Sequence, residues 1–233
     1  MFNLAFLNQN EKAFLFIHVA FAVICLFILL FPLDVAIGWR LFIAVVLYNI
    51  TIPSLALHRE YGEWLMLWSF VSILSLFQVI PDWFLSVELN VLVFPEDGFP
   101  KIGTVSGYMA GLWTIPLFMI VYLGLAIEER YSEKLANITV AAVSLLIFGL
   151  SEETLWILPS WYAQNVLMID HIAVYILIPE IILGLVTYRG YKYIREKDSR
   201  KLWYLAIVAF LTMLIYLGAA NFFYFIVEKI IFP

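Results

Sequence analysis

Seven stretches of this chain stay apolar for about 20 residues, the length a helix needs to cross the roughly 30 Å hydrocarbon layer of a bilayer. They run over about 13–31, 35–57, 64–80, 104–127, 135–150, 170–188 and 202–227. Polar or proline-bearing signals close several of them. Pro32 and Asp34 follow the first, Pro81-Asp82 the third, and Glu128-Glu129-Arg130 the fourth. Among 233 residues 64% are hydrophobic and 13% charged, and the mean hydropathy is +0.97. A water-soluble domain is nearer half apolar and a quarter charged, so lipid is the expected solvent. The expected fold is all-α: a polytopic integral membrane bundle of about seven transmembrane helices, one domain over 1–233.

Two connections carry more than linker composition. Residues 82–103 hold Pro95, Gly98, Pro100 and Gly103, and their apolar part, Phe84–Phe94, is too short to span. Residues 154–168 place Trp156, Trp161 and Tyr162 around Pro159, the composition of an interfacial aromatic belt. Both read as interfacial or re-entrant segments. The distribution of Lys and Arg sets the orientation. Ten lie on the N-terminal side of the seven spans: Lys12, Arg59, Arg130, Lys134, Arg189, Lys192, Arg195, Lys197, Arg200 and Lys201. Three lie on the other: Arg40, Lys101 and Lys229. The positive-inside bias places the N-terminus in the cytoplasm and the C-terminus outside.

Several function classes drop out. A net charge of −5 offers no basic field for nucleic acid. The single cysteine, Cys25, forms no intramolecular disulfide and no cysteine cluster. Met1 to Lys12 lacks the basic start and cleavage site of a signal peptide. His18 and His58 fall in the cytoplasmic half and His171 at the outer end, so they share no ion; no metal and no cofactor is expected. The seventh helix has no lysine before Lys229, which removes a retinal Schiff base.

Polar groups inside a membrane are costly, so their placement is informative. Glu180, about ten residues into the sixth stretch, is expected near the midplane, where a carboxyl needs a partner or keeps its proton. Pro179 before it is expected to kink the helix and free the carbonyl of Tyr175. One structural hydrogen bond between helices would explain Glu180 equally. Asp170 and His171 open the same stretch; Asp170 is expected either to share a cavity with Glu180 or simply to favour the helix N-terminus. Glu152 and Glu153 end the fifth stretch about 100° apart, so at most one faces inward. Glu152 and Trp156, four apart, share a face, the setting of a general acid beside an aromatic ring; the plain alternative is a solvated helix end.

The same outer half carries Asp82, with Gln78 one turn inward, Arg40 in the second helix, and Asn221 with Tyr216 and Tyr224 in the seventh. The inner half has chiefly His18, Asn49 and Glu63. Gly103, Gly107 and Gly111 recur every four residues and read as a close-packing helix face, with Trp113 just beyond.

Acids in an apolar bundle that is 18% aromatic suit acid-initiated chemistry on a lipophilic substrate. In size, helix number and intramembrane acids, including the segments Ile178-Pro179-Glu180 and Leu150-Ser151-Glu152-Glu153, the chain resembles the small seven-helix membrane terpene cyclases, both meroterpenoid and lycopene-cyclase-like. The resemblance implies a class, an isoprenoid cyclase or isomerase, and no residue role is carried over from it. The expected catalytic acids are Glu180, Glu152, Glu153, Asp82 and Asp170. The expected substrate contacts are His171, Trp156, Trp113, Tyr175, Asn221, Arg40 and Gln78. Membrane lipids and a lipophilic small molecule are the expected partners. A proton-coupled transporter or lipid-binding carrier, and a non-catalytic membrane subunit, remain the alternatives.

Overall fold

The computed structural model describes residues 7–32, 34–197 and 201–232. Met1–Phe6 of the leader reading and Arg200 of the basic loop fall outside them. Eight α-helices are described: α1 Gln9–Leu30, α2 Ile37–His58, α3 Gly62–Val87, α4 Met109–Leu112, α5 Thr114–Arg130, α6 Glu133–Leu155, α7 Leu177–Glu196 and α8 Leu202–Tyr224. A 3-10 turn, Val174–Ile176, leads into α7, and a π-helical stretch, Phe225–Ile231, continues α8. Seven of the resulting rods are long and apolar enough to cross a membrane, with α4–α5 as one rod.

Local chemistry starts these helices where expected. Asn8 and Glu11 form a reciprocal capping box on α1, and Ser132 caps α6 through the N–H of Leu135. The dominant packing pairs are α5 with α6, α7 with α8, α3 with α8, and α6 with α7. Gly184 lets α7 approach Ser144 of α6, and Gly124 lets α5 approach Val140. Tyr48, Phe70, Phe118, Tyr188, Tyr191 and Tyr216 are the large side chains sealed in the core. Helix α1 is peripheral, burying only Phe14 and His18. His18 is a packed core residue, bonded to Phe14 O at 2.8 Å and to the Tyr48 hydroxyl at 3.0 Å. Large apolar residues such as Phe16, Phe27, Leu57, Leu146 and Leu202 face outward, an exterior suited to hydrocarbon rather than water.

Five sequence expectations change. Helix α3 does not stop at Pro81 but runs through it to Val87. Pro81 costs one backbone hydrogen bond, about 3 kcal/mol in a helix interior, yet continuing the helix buries Pro81 and brings Asp82 and Leu85 each to 2% exposure. The fourth rod begins at Met109, not 104. Gly103 turns a two-residue hairpin at φ +63° beside Trp83, Gly107 lies against the carbonyl of Pro100, and of the three only Gly111 lies in a helix, packed on Val45. The glycine stripe is therefore not one helix face. The sixth rod begins at Val174, not Asp170. Asp170, at φ +55°, makes the turn of the hairpin Met168-Ile169/Ile172-Ala173. Pro179 is the third residue of α7, where no intrahelical N–H is needed, so it starts the helix rather than kinking it.

The two long connections meet at one end of the bundle. Leu92 pairs with Ala163 and Val93 with Tyr162 in an antiparallel ladder, and Gln164 N–H donates to Val91 O at 2.9 Å. The opposite end carries ion pairs: Arg130 with Glu11, Lys192 with Glu128, Arg195 with Glu63, and Arg189 with Glu133.

Candidate functional site: an acid-lined apolar cavity

Beneath the Leu92/Ala163 ladder, at the loop-rich end, lies a cavity of about 240 Å³. Its walls come from α3, α4, α5, α6, α7 and α8, and three carboxyl residues line it: Asp82, Glu152 and Glu180. Aromatic walls are Phe94, Trp113, Phe148, Trp161, Tyr175 and Tyr216. Trp113 sits 5.5 Å from Phe148 and 6.0 Å from Tyr216, ring centre to ring centre. The side between α5 and α6, formed by Ile115, Pro116, Met119, Ile147 and Ser151, is partly exposed.

Each acid is held differently. Trp113 Nε1 donates to Asp82 Oδ2 at 3.1 Å, and Asp82 is 2% exposed. Trp161 Nε1 donates to Glu152 Oε1 at 3.0 Å, with Glu152 only partly buried. Glu180 is 4% exposed, and its buried Oε2 has no hydrogen-bond partner in the protein. Indole N–H is only a donor, so the oxygen it touches acts as acceptor and the second oxygen of Asp82 or Glu152 is left to carry any proton. Glu180 is the fourth residue of α7. That places it about 10 Å below the start of its rod rather than at the rod's centre.

The loops that roof the cavity are fixed by buried polar contacts. Tyr108 bonds Ser160 at 2.9 Å, and burial pushes its phenol up to about 12. Asp97, 3% exposed, accepts from Phe99 N–H and the Ser106 hydroxyl, while its carbonyl takes the Gly38 N–H at 2.9 Å. Glu228, beyond α8, accepts the Leu167 N–H on both oxygens at 3.0 Å.

Of the residues expected from sequence, the cavity gathers Asp82, Glu152, Glu180, Trp113 and Tyr175. Glu153, Asp170 and His171 cluster apart from it. The His171 N–H donates to Glu153 at 3.2 Å, and His171 Nδ1 lies 3.2 Å from Asp170. Trp156 stacks on His171 at 4.0 Å and donates to Glu153 O, so it does not partner Glu152. These three side chains are the one group among the described residues with ligand atoms close enough to hold a metal ion. Asp170 and His171 sit on a hairpin turn where the sequence predicts a helix start, and Glu153 lies in the last turn of α6. Arg40 does not line the cavity: it donates to Ile28 O and Phe31 O, capping the end of α1. Asn221 bonds back to Leu217 O of its own helix. Gln78 is buried one turn from Asp82, with both amide atoms unpartnered, and is not part of the lining.

The sequence reading did not single out Trp161, Phe94, Phe148 or Tyr216 as cavity residues, nor Asp97 and Glu228 as roof anchors. Trp161 and Phe94 lie in loops whose position no periodicity reveals. Tyr216 carried a signal, a polar aromatic in the half of α8 nearest the acids.

Fold and site together define a seven-rod helical bundle with an acid-lined apolar chamber at one end. The chain belongs to the family described as Domain of unknown function (DUF6989), whose profile matches residues 79–227. Every residue lining the cavity, from Asp82 to Tyr216, falls inside that match, whereas α1 and α2 precede it. No curated protein and no solved structure matches the chain.

Proposed function

We propose that this chain is a membrane-inserted enzyme that uses buried carboxyl groups for acid–base chemistry on an isoprenoid or other lipophilic substrate. The observation that carries the reading is the convergence of Asp82, Glu152 and Glu180 on one aromatic-walled cavity. None of the ion pairs among the described residues includes these three, so no fixed cation holds them all ionised and the group can carry a protonated donor beside a carboxylate acceptor. In the proposed reaction one carboxyl gives its proton to an alkene or epoxide. The aromatic faces stabilise the resulting cation, and a neighbouring carboxylate takes a proton back to form the product. The acceptor, now protonated, then returns that proton to the donor carboxylate across the chamber, which restores both groups for the next cycle. Glu180, unpartnered at Oε2, is the proposed donor; Asp82 and Glu152, each held by an indole, are the proposed acceptor and second donor.

In the bilayer, the loop-rich end faces away from the cytoplasm in this proposal, because Arg59, Arg130, Arg189, Lys192 and Arg195 crowd the other. Glu180 lies about 10 Å below the start of its rod, in the half of the rod nearest the loop-rich end, and the chamber it lines is partly exposed between α5 and α6. The test is turnover in membranes supplied with candidate polyene and epoxide lipids. Wild-type protein is expected to consume one of them, with Glu180→Gln at least about 100-fold slower, the usual contribution of a general acid. Equal turnover by Glu180→Gln removes the donor role.

A further inference from the structure

The cavity has an unbalanced charge inventory. Three of its lining residues are acids, and none is lysine, arginine or histidine. The cations of the loop-rich end are placed elsewhere: Arg40 on the carbonyls of α1, Lys101 on Glu96 and Phe94 O, and Lys229 over the Tyr224 ring at 5.3 Å, outside the lining. Neutral donors compensate little, since Asp82 and Glu152 each accept one indole N–H and Glu180 Oε2 accepts none. The three acids are also too dispersed to hold an ion directly. The close-set ligand group among the described residues is Glu153, Asp170 and His171, outside the chamber.

Around these acids stand the faces of Trp113, Trp161, Tyr175 and Tyr216. Aromatic faces carry negative potential and attract cations. Carboxylates in apolar surroundings are costly until an opposite charge arrives. Both features repel an anion and welcome a cation. The cavity measures about 240 Å³, larger than the roughly 150 Å³ that admits benzene, so a compact branched molecule fits and a long chain does not fit whole.

We infer that the chamber selects a compact lipophile bearing a positive charge at its centre, an alkylammonium in the ground state, and rejects lipophiles with a phosphate or carboxylate head. The inference uses the same cavity as the proposed enzyme but requires no turnover. It says that the missing counter-charge of the site comes from its ligand.

The probe is tetrapropylammonium, compared with the neutral isostere 4,4-dipropylheptane and the anion 2-propylpentanoate, each titrated into the purified full-length protein. The expected result is tetrapropylammonium binding at least about tenfold tighter than either comparison ligand. Because a permanent cation competes with protons on the acids, its affinity is expected to rise with pH, up to about tenfold per unit for one proton released. Glu180→Gln is expected to weaken tetrapropylammonium and leave the neutral isostere unchanged, the latter showing that the variant is folded. Glu153→Gln, in the outer cluster, is expected to change neither. Equal or tighter binding of the anion, or an unaltered ammonium affinity in both Glu180→Gln and Asp82→Asn, overturns the inference. Ammonium selectivity without any turnover overturns only the enzymatic reading, and turnover without ammonium selectivity overturns only this one.

Discussion

The indole nitrogen of Trp113, on the junction of α4 and α5, donates to Asp82 Oδ2 of α3 at 3.1 Å, and Asp82 is 2% exposed. This contact ties the two walls of the chamber together and fixes which carboxyl oxygen remains for a ligand. Trp113→Phe keeps most of the ring and deletes the donor. A buried acceptor left unmet costs about 1–3 kcal/mol, so the melting temperature of the purified protein is expected to fall by about 3–8 °C. Trp161→Phe deletes the matching donor to Glu152. Glu152 is only partly buried, water replaces the indole there, and the expected fall is less than half as large. Equal losses in a thermal scan contradict this ranking.

The contact between α6 and α7 is set by size rather than polarity. A Cβ on Gly184 would overlap Ser144 Oγ and come within 3.0 Å of Ser144 Cβ. The Ser144 hydroxyl is meanwhile bonded to Val140 O at 2.8 Å. Gly184→Ala is expected to destabilise by about 1–3 kcal/mol, the usual cost of overpacking. Adding Ser144→Gly should recover about half of that or more, a coupling measurable in a double-mutant cycle of melting temperatures. Additive losses mean that the two positions do not touch.

Glu228 pins the connection between α6 and α7 through the Leu167 N–H. Glu228→Ala frees that amide, and deuterium uptake of the peptide covering 162–173 is expected to rise about tenfold or more. Glu228→Gln keeps an acceptor oxygen and is expected to lie between. No change in uptake for Glu228→Ala excludes the anchoring role.

How much of this was legible in the sequence depended on whether a residue's surroundings are local. The seven rods follow from apolar length, and Asp82, Glu152 and Glu180 from the cost of placing acids there. What periodicity misplaced were the ends. Pro81 read as a stop because the rule counts its lost hydrogen bond and not the burial of Asp82 and Leu85 beyond it. Asp170 read as a helix start, although its positive φ makes a hairpin turn, and that shift moved Glu180 from the expected midplane toward the rod end. Arg40 read as a substrate contact, but its guanidinium is taken up by the carbonyls of Ile28 and Phe31 at the end of α1 and it does not line the chamber. The Trp161 contact to Glu152 and the pairing of Leu92 with Ala163 join segments across turns. No spacing rule encodes such contacts.

In the proposed seven-crossing arrangement the two ends of the chain fall on opposite sides of a membrane, and ten basic residues against three predict that the N-terminal side is cytoplasmic. A reporter active only in the cytoplasm is expected to work on the N-terminus and fail on the C-terminus; one active only outside gives the reverse pattern. The peripheral helix α1 is the element this experiment interrogates most sharply. It buries little more than Phe14 and His18, so helix packing alone barely holds it, and the proposed insertion would cover its apolar exterior with lipid. If α1 lay outside the bilayer, six crossings would leave both ends on one side and both reporters would agree. The bond from His18 to Tyr48 and the ion pair from Arg130 to Glu11 both fasten α1 alongside its neighbours. Opposite sides are accordingly the expected outcome.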